Sequence, residues 1–174
     1  MAQTLQDLLL AEHSKLHTLR IVSWVNRSPD HLAELVATVV GEDPKLAQRA
    51  AWVLSVWGEA EPASLQPHLP QLLQGLSKPQ HNAVPRAILR SLALMEIPED
   101  FSGEVFDQAF RYLQSPQQPT AIRVCAMQVA FNLALPYPEL RQELRLVLET
   151  HYPTGSAGFR SRAGKLLAKL AQRE

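Results

Sequence analysis

The chain has 174 residues, 46% of them apolar and 20% charged, with 17 basic residues against 17 acidic ones. That length and composition suit one folded domain and argue against a disordered tail. Electroneutrality argues against a chain whose main work is non-specific nucleic-acid binding, and the single cysteine, Cys125, excludes an internal disulfide or a thiolate metal cluster.

The N-terminal stretch MAQTLQDLLLAEH has no basic region and only a short apolar run from Leu8 to Ala11, so it does not read as a signal peptide. No segment approaches the roughly 18 apolar residues of a membrane span. A cytoplasmic protein with no membrane partner is expected.

Prolines punctuate the chain, and between them apolar residues recur with the period of an amphipathic helix. The first helix is predicted over about 3–11 and the second over about 14–27, with Ser14 as cap and Leu16, Leu19, Val22 and Val25 inward. Ser28-Pro29 opens a third helix that Gly41 ends, and Asp43-Pro44 opens a fourth that stops at Gly58. A fifth covers about 63–77, a sixth about 82–96 behind Asn82, and a seventh starts after Ser102. Pro119-Thr120 precedes the eighth, Pro136 and Pro138 the ninth, and Ser156 the tenth.

The strongest signal is repetition. Arg49, Arg86, Arg123 and Arg160 are each 37 residues apart, and so are Pro79, Pro116 and Pro153. QRAAWVLSVWG (48–58), PRAILRSLALM (85–95) and IRVCAMQVAFN (122–132) read as one helix written three times. A period that holds two helices and two breaks is a helical hairpin whose apolar face is covered by the next copy. The organisation expected is one domain over 1–174, less regular over 1–42, with repeats at 43–78, 79–115 and 116–152 and a capping helix at 156–172.

The segment 43–77, with Arg-Ala-Ala on its first helix and Pro-x-Leu-Pro-x-Leu-Leu on its second, resembles a HEAT repeat. The resemblance extends over about 43–170, and the whole chain is similar to a family of small bacterial HEAT-like proteins. It implies an all-α fold, a short right-handed α–α superhelix of about ten helices. Some members of that family carry the label adenylosuccinate lyase. The Ser-Ser-x-Met-Pro-x-Lys loop of that enzyme is missing from this chain, so the resemblance implies a fold and no activity.

Few residues carry candidate chemistry. The row Arg49, Arg86, Arg123 and Arg160 is a candidate set for holding carboxylates or phosphates of a partner; the alternative is pairing with acids such as Glu42, Asp43, Glu104 or Asp107 of neighbouring repeats. Trp52 lies off the apolar stripe of its helix and is a candidate anchor, or else packs on a neighbouring hairpin. Residues 141–173 hold seven basic and two acidic residues, either a contact for nucleic acid or acidic protein, or the solvated cap of the stack. His13 and His17 have metal-ligand spacing, but His13 precedes the helix cap. Gly158-x5-Gly164-Lys165 misses the phosphate-loop pattern by one residue and lacks its Ser or Thr. No catalytic constellation, metal site or cofactor loop stands out.

The function expected is a non-enzymatic scaffold. It binds an unknown protein or peptide through the inner face formed by second helices, where Gln71, Gln74, Asp107, Gln108, Arg111, Arg141 and Arg145 are the polar positions. The alternative is a HEAT-like nucleic-acid-binding or DNA alkylation-repair protein. A homo-oligomer paired through the first helix is a third reading.

Overall fold

The computed structural model describes residues 4–173. They form ten α-helices and one 3₁₀ segment, with no strand among the described residues: α1 (Leu5–Ala11), α2 (Lys15–Val25), α3 (Pro29–Val39), α4 (Pro44–Ala60), the 3₁₀ segment (Pro62–His68), α5 (Leu69–Ser77), α6 (Ala83–Leu92), α7 (Glu99–Gln114), α8 (Thr120–Ala134), α9 (Pro138–His151) and α10 (Ala157–Ala171). The all-α reading therefore holds. The expected start of the first helix at residue 3 lies outside the described residues.

Local chemistry explains the starts. Thr4 and Asp7 form a reciprocal capping box on α1, and the Ser14, Ser28, Asp43 and Ser156 side chains accept backbone N–H groups at the heads of α2, α3, α4 and α10. Four boundaries differ from expectation, and one is the sixth helix, which ends at Leu92 and not near residue 96. The segment 63–77 begins as a 3₁₀ turn with Pro67 inside it, because proline offers no N–H to an α-helical ladder, and turns α-helical only at Leu69. Helix α7 starts at Glu99 instead of after Ser102, placing Glu99 and Asp100 in its positively polarised first turn. Helix α4 runs through Gly58 to Ala60, so that glycine is not a stop signal.

Helix α2 is rotated relative to the expected stripe. Leu16 and Leu19 are 63% and 46% exposed, while His17, Thr18, Ile21 and Val25 are buried. Both polar residues are satisfied where they sit: His17 Nε2 donates to the Leu8 carbonyl at 2.6 Å and Thr18 Oγ1 to the Ser14 carbonyl at 2.9 Å. Leu16→Glu is accordingly expected to change stability by less than about 0.5 kcal/mol. Ile21→Ala should cost about 2–5 kcal/mol. Urea denaturation of the two variants checks the rotation, and a large loss for Leu16→Glu would reject it.

The chain divides into two compact units, one ending at Glu96 and one starting at Ile97. The boundary falls inside the 79–115 repeat. In the first unit α4 is central and packs on α1, α2, α3 and α6, while α5 packs on α3 and α6. This sets α2, α4 and α6 in one layer and α3 and α5 in another. Leu35, Val36, Leu54, Leu65, Leu69, Leu72 and Ile88 fill the space between them. Full burial of such a side chain stabilises by about 1.5–3 kcal/mol. In the second unit α8 packs on α7, α9 and α10 around Val105, Leu113, Met127, Leu144, Leu148 and Phe159.

Candidate functional site

The site of interest lies in the first unit and follows from how α4 meets α6. Helix α4 buries Ala47, Ala50, Ala51, Val53, Leu54, Trp57 and Gly58, which leaves Trp52 pointing outward and 37% exposed. Helix α6 buries Val84, Ala87, Ile88, Leu89, Ser91 and Leu92, which leaves Arg86 and Arg90 one turn apart on its outer side. Between the two helices runs a groove of about 420 Å³, lined by Gln48, Trp52, Ser55 and Glu59 from α4, Ala83, Arg86 and Arg90 from α6, and His13 from the α1–α2 turn. His13 meets the Trp52 indole edge to face, with ring centroids 4.7 Å apart. Arg90 pairs with Glu59, and both side chains are about half exposed, so the pair contributes little to stability.

The arginine row splits into two kinds. Arg49 Nη1 donates to the Leu9 carbonyl at 2.6 Å and Arg123 Nε to the Leu113 carbonyl at 2.9 Å. Those carbonyls belong to the last turns of α1 and α7, where helices carry unmatched oxygens and partial negative charge. Arg141 does the same for α8, donating to the Leu135 carbonyl at 2.7 Å. The partners are thus helix C-termini, whereas the sequence pointed to carboxylates. Arg86 and Arg160 are exposed, and neither side chain has a hydrogen bond or ion pair among the described residues. Arg49→Ala is expected to cost about 1–2 kcal/mol, the worth of a charge-assisted hydrogen bond to a helix end. Guanidinium denaturation followed by tryptophan fluorescence checks this, and an unchanged midpoint would refute the capping role.

Arg123 is the most enclosed of the four, at 7% exposure, with its guanidinium 4.3 Å from the centre of the Phe159 ring. Its Nη2 is buried without a hydrogen-bond partner, and burial pulls its pKa below the ordinary range of an arginine. His151 stands edge-on to the same ring, and burial first and Arg123 second hold its imidazolium below the ordinary range. The remaining candidates are held on their own helices: Arg111 donates to Gln108 Oε1 at 2.9 Å, and Arg145 pairs with Glu149 at 2.9 Å.

Of the sequence candidates, the groove brings together Trp52 and Arg86. His13, Glu59 and Arg90 were missed. Arg90 follows Arg86 by one turn, and the 37-residue period already set 83–95 beside 44–58, so the pairing of these faces was a readable signal. His13 and His17 do not share a site, since one meets Trp52 edge to face and the other is buried against α1. No group of three metal-ligating side chains occurs among the described residues. Gly158, Gly164 and Lys165 all lie inside α10, so they form no loop.

The family model for the HEAT repeat domain matches residues 5–170. The chain belongs to the HEAT repeat family. Neither the curated proteins nor the solved structures include a match to it. HEAT repeat stacks serve in general as scaffolds for protein interaction. In this HEAT repeat chain the groove beside Trp52 combines an exposed indole with an unengaged guanidinium. No helix is long and apolar enough to cross a membrane among the described residues.

Proposed function

We propose that the chain is a non-enzymatic protein-interaction module that engages its partner through the groove between α4 and α6. The observation that carries this reading is the pairing of exposed Trp52 with unpaired Arg86, the two residue types most enriched at interaction hot spots. A second candidate face lies on α7, where Asp107, Phe110 and Arg111 line a shallow depression. That face has weaker support, because Arg111 is already engaged within the chain, as Arg141 and Arg145 are on α9.

The test is affinity capture with chemical crosslinking, comparing wild type with Trp52→Ala/Arg86→Glu and with Arg111→Glu/Arg145→Glu. Recovery of partners should fall at least tenfold for the first double variant and stay within twofold for the second. The reverse pattern would move the binding face to the second helices. Equal recovery from all three would remove both faces.

A second reading, nucleic-acid contact, is favoured by α10 and the residues after it, where Arg160, Arg162, Lys165, Lys169 and Arg173 are all exposed. Duplex DNA binding at about 100 mM salt that weakens steeply with added salt would support it.

A further inference from the structure

We propose that the α4–α6 groove takes an extended acidic peptide segment, with an Asp or Glu carboxylate on Arg86 and an apolar side chain two or three residues away on Trp52. This rests on the interaction-module reading and adds the chemistry of the partner. Arg86 presents a guanidinium fork that no group among the described residues satisfies, and a carboxylate matches that fork bidentately. Trp52 offers a half-open indole face already oriented by the His13 ring, so an apolar side chain settles on it with little ordering cost.

The spacing follows from helix packing. Neighbouring packed helices lie roughly 8–10 Å apart. An extended chain advances about 3.3 Å per residue. A segment that crosses from α6 to α4 therefore places its anchors two or three positions apart. Gln48 and Ser55 flank Trp52 along α4 in the same groove and offer side-chain donors and acceptors to the peptide backbone. The volume of about 420 Å³ suits a few side chains.

Charge selects against the other polymers. Glu59 neutralises Arg90 inside the groove, which leaves Arg86 as its unpaired guanidinium. A phosphate backbone draws its affinity from several cations at once, and the groove offers one unpaired guanidinium. A basic segment would face Arg86 directly.

The experiment uses the full chain and four fluorescein-labelled decapeptides that differ only at two central positions: Glu-Ser-Leu, Gln-Ser-Leu, Glu-Ser-Ser and Lys-Ser-Leu, each in a Gly/Ser frame. Fluorescence anisotropy at about 100 mM salt reads affinity, with labelled 12-nucleotide single-stranded and duplex DNA as further probes. Glu-Ser-Leu should bind best. Replacing its Glu by Gln, or Arg86 by Glu, should weaken binding by roughly 10–100-fold, the loss of one charge-assisted bidentate contact. Trp52→Ala and the Glu-Ser-Ser peptide should each cost about tenfold or more. Arg86→Glu should also make Lys-Ser-Leu the preferred peptide. Both variants are at exposed positions, and far-UV circular dichroism checks that they remain folded.

Equal affinity for the Glu and Gln peptides, no effect of Arg86→Glu, or tighter binding of either DNA than of every peptide would overturn the proposal. So would a panel in which nothing binds. If partner capture still depended on Trp52 and Arg86 in that case, the interaction module would stand with a different ligand. If capture lost that dependence as well, the broader reading would fall too.

Discussion

Phe159→Ala is expected to lower the unfolding free energy of the second unit by about 3–5 kcal/mol, the usual cost of removing a buried aromatic ring. Phe159 is 1% exposed and fills the space beside α8. Its ring also faces the Arg123 guanidinium at 4.3 Å and meets His151 edge-on. Truncation therefore leaves a cavity and strips the main apolar cover from a buried cation that has one hydrogen bond, to the Leu113 carbonyl. Phe159→Leu, which keeps most of the volume, should lose distinctly less. Thermal melts followed by tyrosine fluorescence check this, because Tyr112, Tyr137 and Tyr152 all lie beyond Ile97. A loss under about 1 kcal/mol for the alanine variant would show that the ring does not hold this unit together.

Gly58→Val should cost about 2–3 kcal/mol or more in the first unit, through overpacking. A Cβ added at Gly58 would stand 3.0 Å from Ser91 Cβ, closer still to its hydroxyl, and 3.4 Å from Leu65 Cδ1. The glycine lets α4 and α6 approach closely at Ser91. Two companion variants separate this from a helix-propensity effect. Ser91→Gly in the Gly58→Val background should restore part of the loss. Ser91→Ala alone should be neutral or stabilising by up to about 1 kcal/mol, since the Ser91 hydroxyl is buried without a partner. Trp24, Trp52 and Trp57 all precede Glu96, so tryptophan fluorescence follows this unit. No rescue by Ser91→Gly would reject the close-approach account.

The rotation of α2 shows where sequence periodicity runs out. The stripe Leu16, Leu19, Val22, Val25 is the more apolar choice, yet the helix buries His17 and Thr18 with Ile21 and Val25. Periodicity ranks faces by apolarity and cannot know that a polar side chain will find a carbonyl, as His17 does at Leu8. The same limit hid the arginine partners. The regular spacing of Arg49 and Arg123 was plain, but their acceptors are backbone oxygens of other helices, and those carry no residue-type signal. Trp52 was legible as an off-stripe aromatic and Arg86 as a member of the row. Glu59, Arg90 and His13 joined them only when α4, α6 and the α1–α2 turn came together.

Read alone, the sequence determined the helical class, most helix starts and the 37-residue tiling, because these depend on local capping, proline stereochemistry and apolar period. The tertiary structure decided which face of α2 is dry, which arginines are spent on helix ends and which stay free, and that one groove gathers an indole with a guanidinium. Those outcomes depend on which polar groups meet across space, and a linear pattern of residue types does not contain that information.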